Sequence, residues 1–497
     1  MNLKWAIAIA TVAAATFFEL LRNFNRFWYE PKLKPGQAPL PPGSLGWPIF
    51  GNMASFLRAF KSHNPDSFIT KYLHKYDRTG VYKAFLFWQP TVLATTPETC
   101  KVVLSRDSLF ETGWPSSTRR LIGTRSFAGV TGEEHLKLRR LTEPALSNPK
   151  ALEDYIPRMS SNIKSCLEEW SCQERTLLLR EMRKYAFRTI HDILFSKDSG
   201  LDVEEVSSLY YEGNQGIRSL PINLPGTSYN RALKARKKLD VLLHRVLNKR
   251  RFSEKPEKTD TLSLLMDATD ENGKHLDDKQ IVDLLVMYLN AGHDSTAHLI
   301  LWLLIFLLKH EIVYDKVKEE QELIASQKPL GDSLSLSDVK KMSYLSRVKL
   351  RFIALSHFLF PLHQVINETL RVANISPMVF RRAVTDVEVN GFTIPKGWYV
   401  EPWLRQVHMD PAVHSNPQNF DPDRWARNEV RPFTHLPFGL GSRTCPGNEL
   451  AKLEACIIVH HLVLGYDVKP LNPDCEVTFL PHPRPKDYFP VQVRRRR

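Results

Sequence analysis

The chain has 497 residues, of which 43% are hydrophobic and 25% are charged, with 33 prolines, 22 glycines and only 6 cysteines. That composition excludes an intrinsically disordered chain, a collagen-like repeat and a disulfide-built scaffold. The formal net charge of +14 suits nucleic acid, an anionic membrane or an acidic protein partner. Basic runs interleaved with aromatic residues and a nucleic-acid reading module are not evident, so we expect no nucleic-acid partner.

The first thirty residues predict a membrane anchor. Residues 5–18 run almost without a polar side chain, and the aromatic and basic residues that follow are typical of a membrane interface. The competing interpretation, a cleaved signal peptide, needs a small-residue cleavage site, and none precedes the next segment. Because the basic residues follow the apolar stretch, the positive-inside rule leaves the rest of the chain in the cytosol.

Residues 31–51 are predicted to form a hinge, since their prolines forbid helix and stiffen the path. Residues 52–497 are expected to form one large domain. Apolar residues spaced for a helix indicate helices over 65–76, 98–105, 133–146, 151–170, 176–195, 228–251, 278–309 and 446–464. Alternating patterns indicate strands near 80–95, 385–401 and 465–493. The expected fold class is therefore mainly α with small β-sheets.

The longest helical pattern runs from Asp277 to His310, and two parts of it are apolar on nearly every face. Such a helix is buried on all sides. Between the apolar parts lie Ala291, Gly292, His293, Asp294, Ser295 and Thr296. Polar groups inside a buried helix are costly without partners. Two interpretations remain open: a kink with a satisfied polar cluster, or a groove that admits a small ligand beside a proton-donating relay.

Cys445 precedes a predicted helix opened by Pro446, within the sequence FGLGSRTCPG. At a helix N-terminus, backbone N–H groups and the helix dipole favour thiolate over thiol. The glycines let the backbone wrap closely around the sulfur, and Arg443 supplies a cation for a ligand anion. A thiolate that ligates haem iron favours O–O cleavage.

FGLGSRTCPG resembles the haem-binding signature of the cytochrome P450 superfamily. Three further motifs resemble that superfamily in the same order: AGHDST at 291–296, ETLR at 368–371 and FDPDRW at 420–425. The resemblance implies a cytochrome P450 fold in a single large domain, with Cys445 as the axial ligand of the haem iron. It also implies an ion-pair triad that locks the loop leading to Cys445, formed by Glu368, Arg371 and Arg424.

The same resemblance implies the cofactors and the catalytic residues. Haem b (iron protoporphyrin IX) would bind with O2 as co-substrate, and electrons would come from NADPH through NADPH-cytochrome P450 reductase. Protons would pass Asp294 and a hydroxyl, which is either Ser295 at the usual threonine position or Thr296 next to it. The cofactor-binding residues implied besides Cys445 are Arg443, Arg139, His135, Arg381 and Phe438, with the cations on the haem propionates.

Several stretches, among them GWPSSTRRLIGTRSF, LLVMYLNAGH and CPGNELAKLE, are similar to the plant ent-kaurenoic acid oxidase family of gibberellin biosynthesis. The implied function is oxidation of a diterpenoid acid at the endoplasmic reticulum membrane, and an amyrin- or cucurbitane-type triterpenoid remains the alternative substrate. Arg119, Arg120 and Arg125 are either partners of a substrate carboxylate or surface cations. Family position implies a pocket wall that includes Trp114, Arg125, Leu289, Ala291, Ile375 and Val379.

Residues 348–364, VKLRFIALSHFLFPLHQ, form an insert where relatives run straight into the helix of Glu368. Its composition is what a retained intron would encode, and an extra surface loop is the other interpretation. Pro361 is expected to interrupt any helix through the insert. A real insert would disturb packing before Glu368, so a non-catalytic paralogue is the alternative function of another class. Glu401 is an unexplained carboxylate in a predicted strand.

Overall fold

The computed structural model of the chain describes residues 3–196, 200–252, 260–329, 333–343, 361–427 and 429–496. Eighteen α-helices lie in these ranges: α1 Leu3–Tyr29, α2 Met53–Lys61, α3 Ser67–Tyr76, α4 Pro97–Ser105, α5 Ser116–Ile122, α6 Gly132–Thr142, α7 Pro144–Ser147, α8 Pro149–Ser171, α9 Leu178–Leu194, α10 Val203–Ile217, α11 Ser228–Arg251, α12 Thr261–Asp267, α13 Asp278–Lys309, α14 Glu311–Ser326, α15 Leu336–Ser343, α16 Pro361–Ala373, α17 Leu404–Met409 and α18 Asn448–Gly465. The predicted class, mainly helical with small sheets, is confirmed.

The strands are short, and all but β4 lie in residues 81–112 or after residue 380. They are β1 Val81–Leu86, β2 Gln89–Ala94, β3 Phe110–Thr112, β4 Thr176–Leu177, β5 Arg381–Ala383, β6 Val387–Val389, β7 Phe392–Ile394, β8 Tyr399–Pro402, β9 Tyr466–Pro470, β10 Val477–Thr478, β11 Arg484–Pro485 and β12 Pro490–Arg495. The largest sheet has the order β1-β2-β8-β5-β3. Within it β2 pairs in parallel with β8, and the other pairings are antiparallel.

The helix predicted to be central, α13, is buried along residues 281–289 and 296–305. Asp277 caps it by accepting a hydrogen bond from the Gln280 N–H at 2.8 Å. Helices α9, α16 and α18 pack against it and complete the main hydrophobic core. Helix α13 is long and apolar enough to cross a membrane, but most of its apolar stretch is buried inside the domain. Burial by neighbouring helices identifies it as a core helix.

The proline-rich segment predicted as a hinge is fixed to the domain. The Pro39 carbonyl accepts a hydrogen bond from the Thr393 N–H at 2.8 Å, and the Pro42 carbonyl accepts one from the Lys83 N–H at 2.8 Å. The Asn25 side chain in α1 donates to the Leu45 carbonyl at 3.0 Å. Proline removes backbone donors but keeps the carbonyl acceptors, and the sheet uses these acceptors. In this structure the segment is therefore docked on the domain, and its role as a hinge stays a prediction.

Most of the 348–364 insert, residues 348–360, lies outside the described residues. Its last four residues form the first turn of α16, which begins at Pro361 and contains Glu368. Leu362 is fully buried in the main core beside Val365 and Ile366. Pro361 therefore opens the helix, a position that tolerates the missing N–H, and does not break it.

Candidate functional site

Cys445 lies in the loop immediately before α18. Its backbone N–H donates to the Phe438 carbonyl at 2.9 Å, which closes the loop on itself. Gly441, at φ +79°, lies so close to α4 that an added Cβ would be 2.5 Å from the Leu104 carbonyl oxygen. A side chain at this position would therefore push the loop away from α4.

Two opposing effects act on the pKa of the Cys445 thiol. Burial raises the pKa of Cys445, while the Gly447 N–H and the positive charge of Arg139 lower it, and burial prevails. The expected bias toward thiolate from the helix terminus is present but is not sufficient by itself. A buried thiol in such a loop ionises when it binds a metal cation.

Four basic side chains meet beside this loop: His135, Arg139, Arg381 and Arg443. Burial, followed by the charges of the three arginines, lowers the pKa of His135 to about 4. Burial and the Arg443 charge lower the pKa of Arg381 to about 10. The Nε atoms of Arg381 and Arg443 are buried without a hydrogen-bond partner in the described part of the chain.

Three acids act on this cluster. Asp107 acts electrostatically on Arg381 and Arg443, Glu111 acts on Arg443, and the Glu143 carboxylate lies 3.5 Å from Arg139 Nε. Arg139 also donates to the Thr444 carbonyl at 2.5 Å. Buried cations with unused donors require an anionic partner. A thiol beside such a cluster fits haem, whose iron takes the thiolate and whose two propionates take the cations.

The structure brings Glu368, Arg371 and Arg424 together in full burial. Arg371 donates to both Glu368 carboxylate oxygens, at 2.9 and 2.7 Å, and Arg424 Nε donates to Glu368 at 3.0 Å. Arg371 also donates to the carbonyls of His408 and Pro417 at 2.9 and 2.7 Å. These bonds tie α16 to the segment that leads toward Cys445.

The buried run of α13 is interrupted at one turn, where Ala291 and Ser295 are exposed on the same face. The Ser295 hydroxyl donates to the Ala291 carbonyl at 2.6 Å. Thr296 is only 5% exposed and lies within the packed side of the helix. The glycine at position 292 is explained by packing. An added Cβ would lie 2.9 Å from Ile190 Cγ1, so glycine permits the close approach of α9.

Asp294 is 5% exposed and is held between two arginines. Its Oδ1 accepts from Arg183 Nε at 2.8 Å and its Oδ2 from Arg218 Nη2 at 2.5 Å. Burial alone would raise the pKa of this carboxyl, but its basic neighbours outweigh burial and hold it well below the usual range. They are His298, Arg183, His482 and Arg218. In this conformation Asp294 is therefore an ionised carboxylate that two arginines hold in place.

The pocket-wall residues expected from family position fall into two groups. Trp114 is 39% exposed and its ring lies 5.4 Å from that of Phe380, while Val379 is half-buried. The Ile375 carbonyl lies 2.9 Å from His482 Nδ1. Leu289 is fully buried in the main core of this structure, and its place in the pocket wall stays a prediction.

Arg125 is engaged elsewhere. Its Nη2 lies 3.2 Å from Asp277 and its Nε 3.5 Å from Glu134, so the acids at the start of α13 and on α6 hold its side chain. These contacts favour the interpretation of Arg125 as a surface cation, and its role as a partner for a substrate carboxylate stays a prediction. Sequence reasoning missed Arg183, Arg218 and His482, because they lie on distant segments that only the tertiary fold brings to Asp294.

Comparison with known proteins agrees with this geometry. The cytochrome P450 family model matches residues 41–486. Ent-kaurenoic acid oxidase 2 of Arabidopsis thaliana is 45% identical over 480 residues, covering 96% of this chain and 95% of its own. Beta-amyrin 11-oxidase of Glycyrrhiza uralensis is 38% identical over 502 residues, 98% of both chains. The structure of retinoic acid-bound cyanobacterial CYP120A1 superposes with a TM-score of 0.79 at 27% identity, covering 93% of this chain and all of the other.

Proposed function

This chain belongs to the cytochrome P450 family, and from that premise we propose that it oxidises ent-kaurenoic acid or a similar diterpenoid acid. It is an oxidoreductase of the haem-thiolate class, which uses O2 and electrons from a redox partner. The observation that carries the proposal is the juxtaposition of the Cys445 thiol with four basic side chains, of which His135 and Arg381 are buried and Arg139 and Arg443 half-buried. The haem b that we place there would supply activation of O2 at an iron whose thiolate ligand favours O–O cleavage.

The residues of the chain would divide the work as follows. Cys445 would be the axial ligand, Phe438 would lie beside the sulfur, and the basic cluster would hold the two propionates. The triad of Glu368, Arg371 and Arg424 would keep the Cys445 loop in place. Ser295, whose hydroxyl lies on the open face of α13, would pass protons toward the reacting oxygen, and Asp294 would orient this turn through its arginine partners.

The location and partners belong to the same proposal. Helix α1 would anchor the protein in the endoplasmic reticulum membrane, with the catalytic domain in the cytosol. The exposed side chains near the end of α1, Phe27 and Trp28, suit the interface with the bilayer. NADPH-cytochrome P450 reductase would deliver the electrons.

The substrate is tested with microsomes that contain this chain and a reductase. We expect a thiolate-type Soret band in the reduced carbon-monoxide difference spectrum and consumption of ent-kaurenoic acid. A beta-amyrin-type triterpenoid is the second substrate, because a relative 38% identical carries that name. Consumption of the triterpenoid alone would favour that alternative, and a chain without the Soret band would be a non-catalytic paralogue.

A further inference from the structure

The pair of arginines around Asp294 carries more positive charge than the single carboxylate balances. Arg183 uses its Nε and Arg218 one Nη nitrogen on Asp294. In the described ranges no second acid pairs with either arginine, and neither guanidinium makes another hydrogen bond. Four of their six nitrogens therefore make no hydrogen bond within the described residues.

The neighbouring imidazoles do not change this balance, because they are neutral near pH 7. Burial lowers the pKa of His293 to about 4 and that of His298 to about 3. Burial also lowers the pKa of His482, despite the nearby Asp294 carboxylate. Two guanidinium groups and one carboxylate leave the cluster with one uncompensated positive charge, next to a buried Asp294, a half-buried Arg183 and a more exposed Arg218.

The cluster lies next to the open turn of α13. Asp294 precedes Ser295, whose side chain faces the open side, and Asp294 Oδ2 lies 3.7 Å from His482 Nε2. His482 in turn contacts the Ile375 carbonyl at the expected pocket wall. The Arg218 side chain is 32% exposed, compared with 17% for Arg183. Arg218 is therefore the member of the cluster that an incoming ligand can reach.

We propose that Arg218, supported by Arg183, binds the carboxylate of the substrate. This inference rests on the proposed function and narrows it to a polycyclic terpenoid that carries a carboxylate. A carboxylate that accepts from the unused Arg218 nitrogens satisfies them and neutralises the uncompensated charge. A neutral triterpenoid does neither, so the site discriminates between the two substrate classes.

Two of the other arginines considered from the sequence fit this role less well. Arg125 is held by Glu134 and Asp277, and Arg120 is exposed on α5. Arg119 lies on α5 as well, with its Nε buried and unpartnered in the described part of the chain. Arg119 is therefore the matched comparison for Arg218: it has the same chemistry but does not contact Asp294.

The test measures spectral binding of ent-kaurenoic acid and of its methyl ester to the purified holoenzyme. We expect the wild type to bind the acid at least about tenfold more tightly than the ester, as a charge-assisted hydrogen bond predicts. Arg218→Gln should remove this preference while leaving the Kd of the ester unchanged. Arg218→Lys should keep part of the preference, and Arg119→Gln should keep all of it.

A second variant protects the test against misfolding of Arg218→Gln. Asp294→Asn removes the competing carboxylate and raises the net charge of the cluster, so it should bind the acid several-fold more tightly and the ester equally well. Unchanged or weaker acid binding by Asp294→Asn would overturn the inference. So would a preference for the acid that survives in Arg218→Gln with an intact carbon-monoxide spectrum.

The inference and the proposed function fail in different ways. If the wild type consumes ent-kaurenoic acid but binds acid and ester equally, Arg218 is not the carboxylate partner and the proposed function stands. If the wild type binds neither ligand but binds a neutral triterpenoid, both the inference and the proposed substrate are wrong.

Discussion

Ser295 and Thr296 are adjacent in the sequence, but their hydroxyls lie in different surroundings. Ser295 is on the exposed face of α13, while Thr296 is packed among buried side chains. A hydroxyl can pass a proton only to a group that it can reach. We therefore expect Ser295→Ala to lower product formed per NADPH several-fold and to raise peroxide release.

The neighbouring substitution is the control for this prediction. Thr296→Ala removes a buried methyl and hydroxyl, so it should lower the unfolding temperature with little change in coupling, the ratio of product to NADPH. Both ratios are measured in one assay of product, peroxide and NADPH consumption. Loss of coupling in Thr296→Ala with normal coupling in Ser295→Ala would reverse the assignment.

Glu401 is a second residue whose surroundings give a clear expectation. It lies in β8, is 1% exposed, and its Oε2 has no hydrogen-bond partner among the described residues. Burial raises its pKa to about 8. Because the folded pKa exceeds that of the unfolded chain, the folded state binds one more proton between about pH 4.5 and 8. The contribution of this group to stability is therefore complete below that range and falls by about 1.4 kcal/mol per pH unit across it.

Replacing Glu401 with Gln should remove this pH dependence. We expect Glu401→Gln to have a higher unfolding temperature than the wild type at pH 8 and a similar one at pH 5. The exposed Glu388 on β6 is the matched control, and Glu388→Gln should have no effect at either pH. Circular-dichroism melts at the two pH values measure the difference, and a Glu401→Gln melt that stays below the wild type at pH 8 would contradict it.

At the scale of elements, helices with long periodic patterns were predictable from the sequence. The predictions for 228–251 and 278–309 match α11 and α13, because their apolar spacing persists over many turns. The predicted helix over 133–146 is interrupted between α6 and α7, since Pro144 starts a new helix. Helix α10 was not predicted, because its short apolar pattern is set by packing against α11.

The residues of the candidate site also differ in how far the sequence predicts them. Cys445, Glu368 and Arg371 lie within short sequence motifs, so the motifs identify them. The partners of Asp294 come from α9, the end of α10 and the segment before β11. The local sequence around Arg183 or Arg218 does not indicate a site residue, because these arginines contact Asp294 only in the folded chain.

One ion pair joins three elements at the edge of the site. Arg236 of α11 lies 2.5 Å from Asp283 of α13 and donates to the Leu121 carbonyl of α5 at 2.9 Å. Asp283 also accepts from the Arg125 N–H at 2.8 Å. Gly123, at φ +115°, approaches so closely that an added Cβ would be 2.7 Å from Asp283 Cβ. The pair thus fixes the segment that follows Trp114.

Removing Asp283 should leave Arg236 buried without its most buried partner. We expect Asp283→Ala to destabilise the protein by about 3–5 kcal/mol, and to accelerate tryptic cleavage between residues 114 and 127. Asp240 is the control, because it also contacts Arg236, at 2.8 Å, but is 36% exposed. Asp240→Ala should cost less than about 1 kcal/mol. Equal effects of the two substitutions on melting and proteolysis would show that the buried pair does not fix this segment.

At the scale of the whole molecule, the insert can be removed without breaking the pattern of α16. Deletion of residues 348–364 joins Arg347 directly to Val365. Leu345 then lies three residues before Val365, which is the spacing that Leu362 has now. Leu362 is fully buried, and leucine replaces it in the deletion variant. We therefore expect the shortened chain to keep the core around α16 and to bind haem at least as completely as the full chain.

The haem content per protein and the Soret band of both chains measure this expectation. A full-length chain without haem beside a shortened chain with haem would show that the insert disables the protein. A shortened chain that fails to fold would show that the insert supplies part of the structure, and the expectation would be wrong. Removal of residues 53–69, an internal segment of equal length that contains α2, should abolish folding and serves as the control.

The parallel pairing of β2 with β8 joins residues 91–94 to residues 399–402. A ribosome adds about 5–20 residues per second, so roughly 300 residues take on the order of 15–60 s to follow β2 out of the ribosome. During this time the β1–β2 hairpin presents one unpaired edge, which is a template for a strand of another chain. The nascent protein thus carries this open strand edge until its own last hundred or so residues are made and complete the sheet.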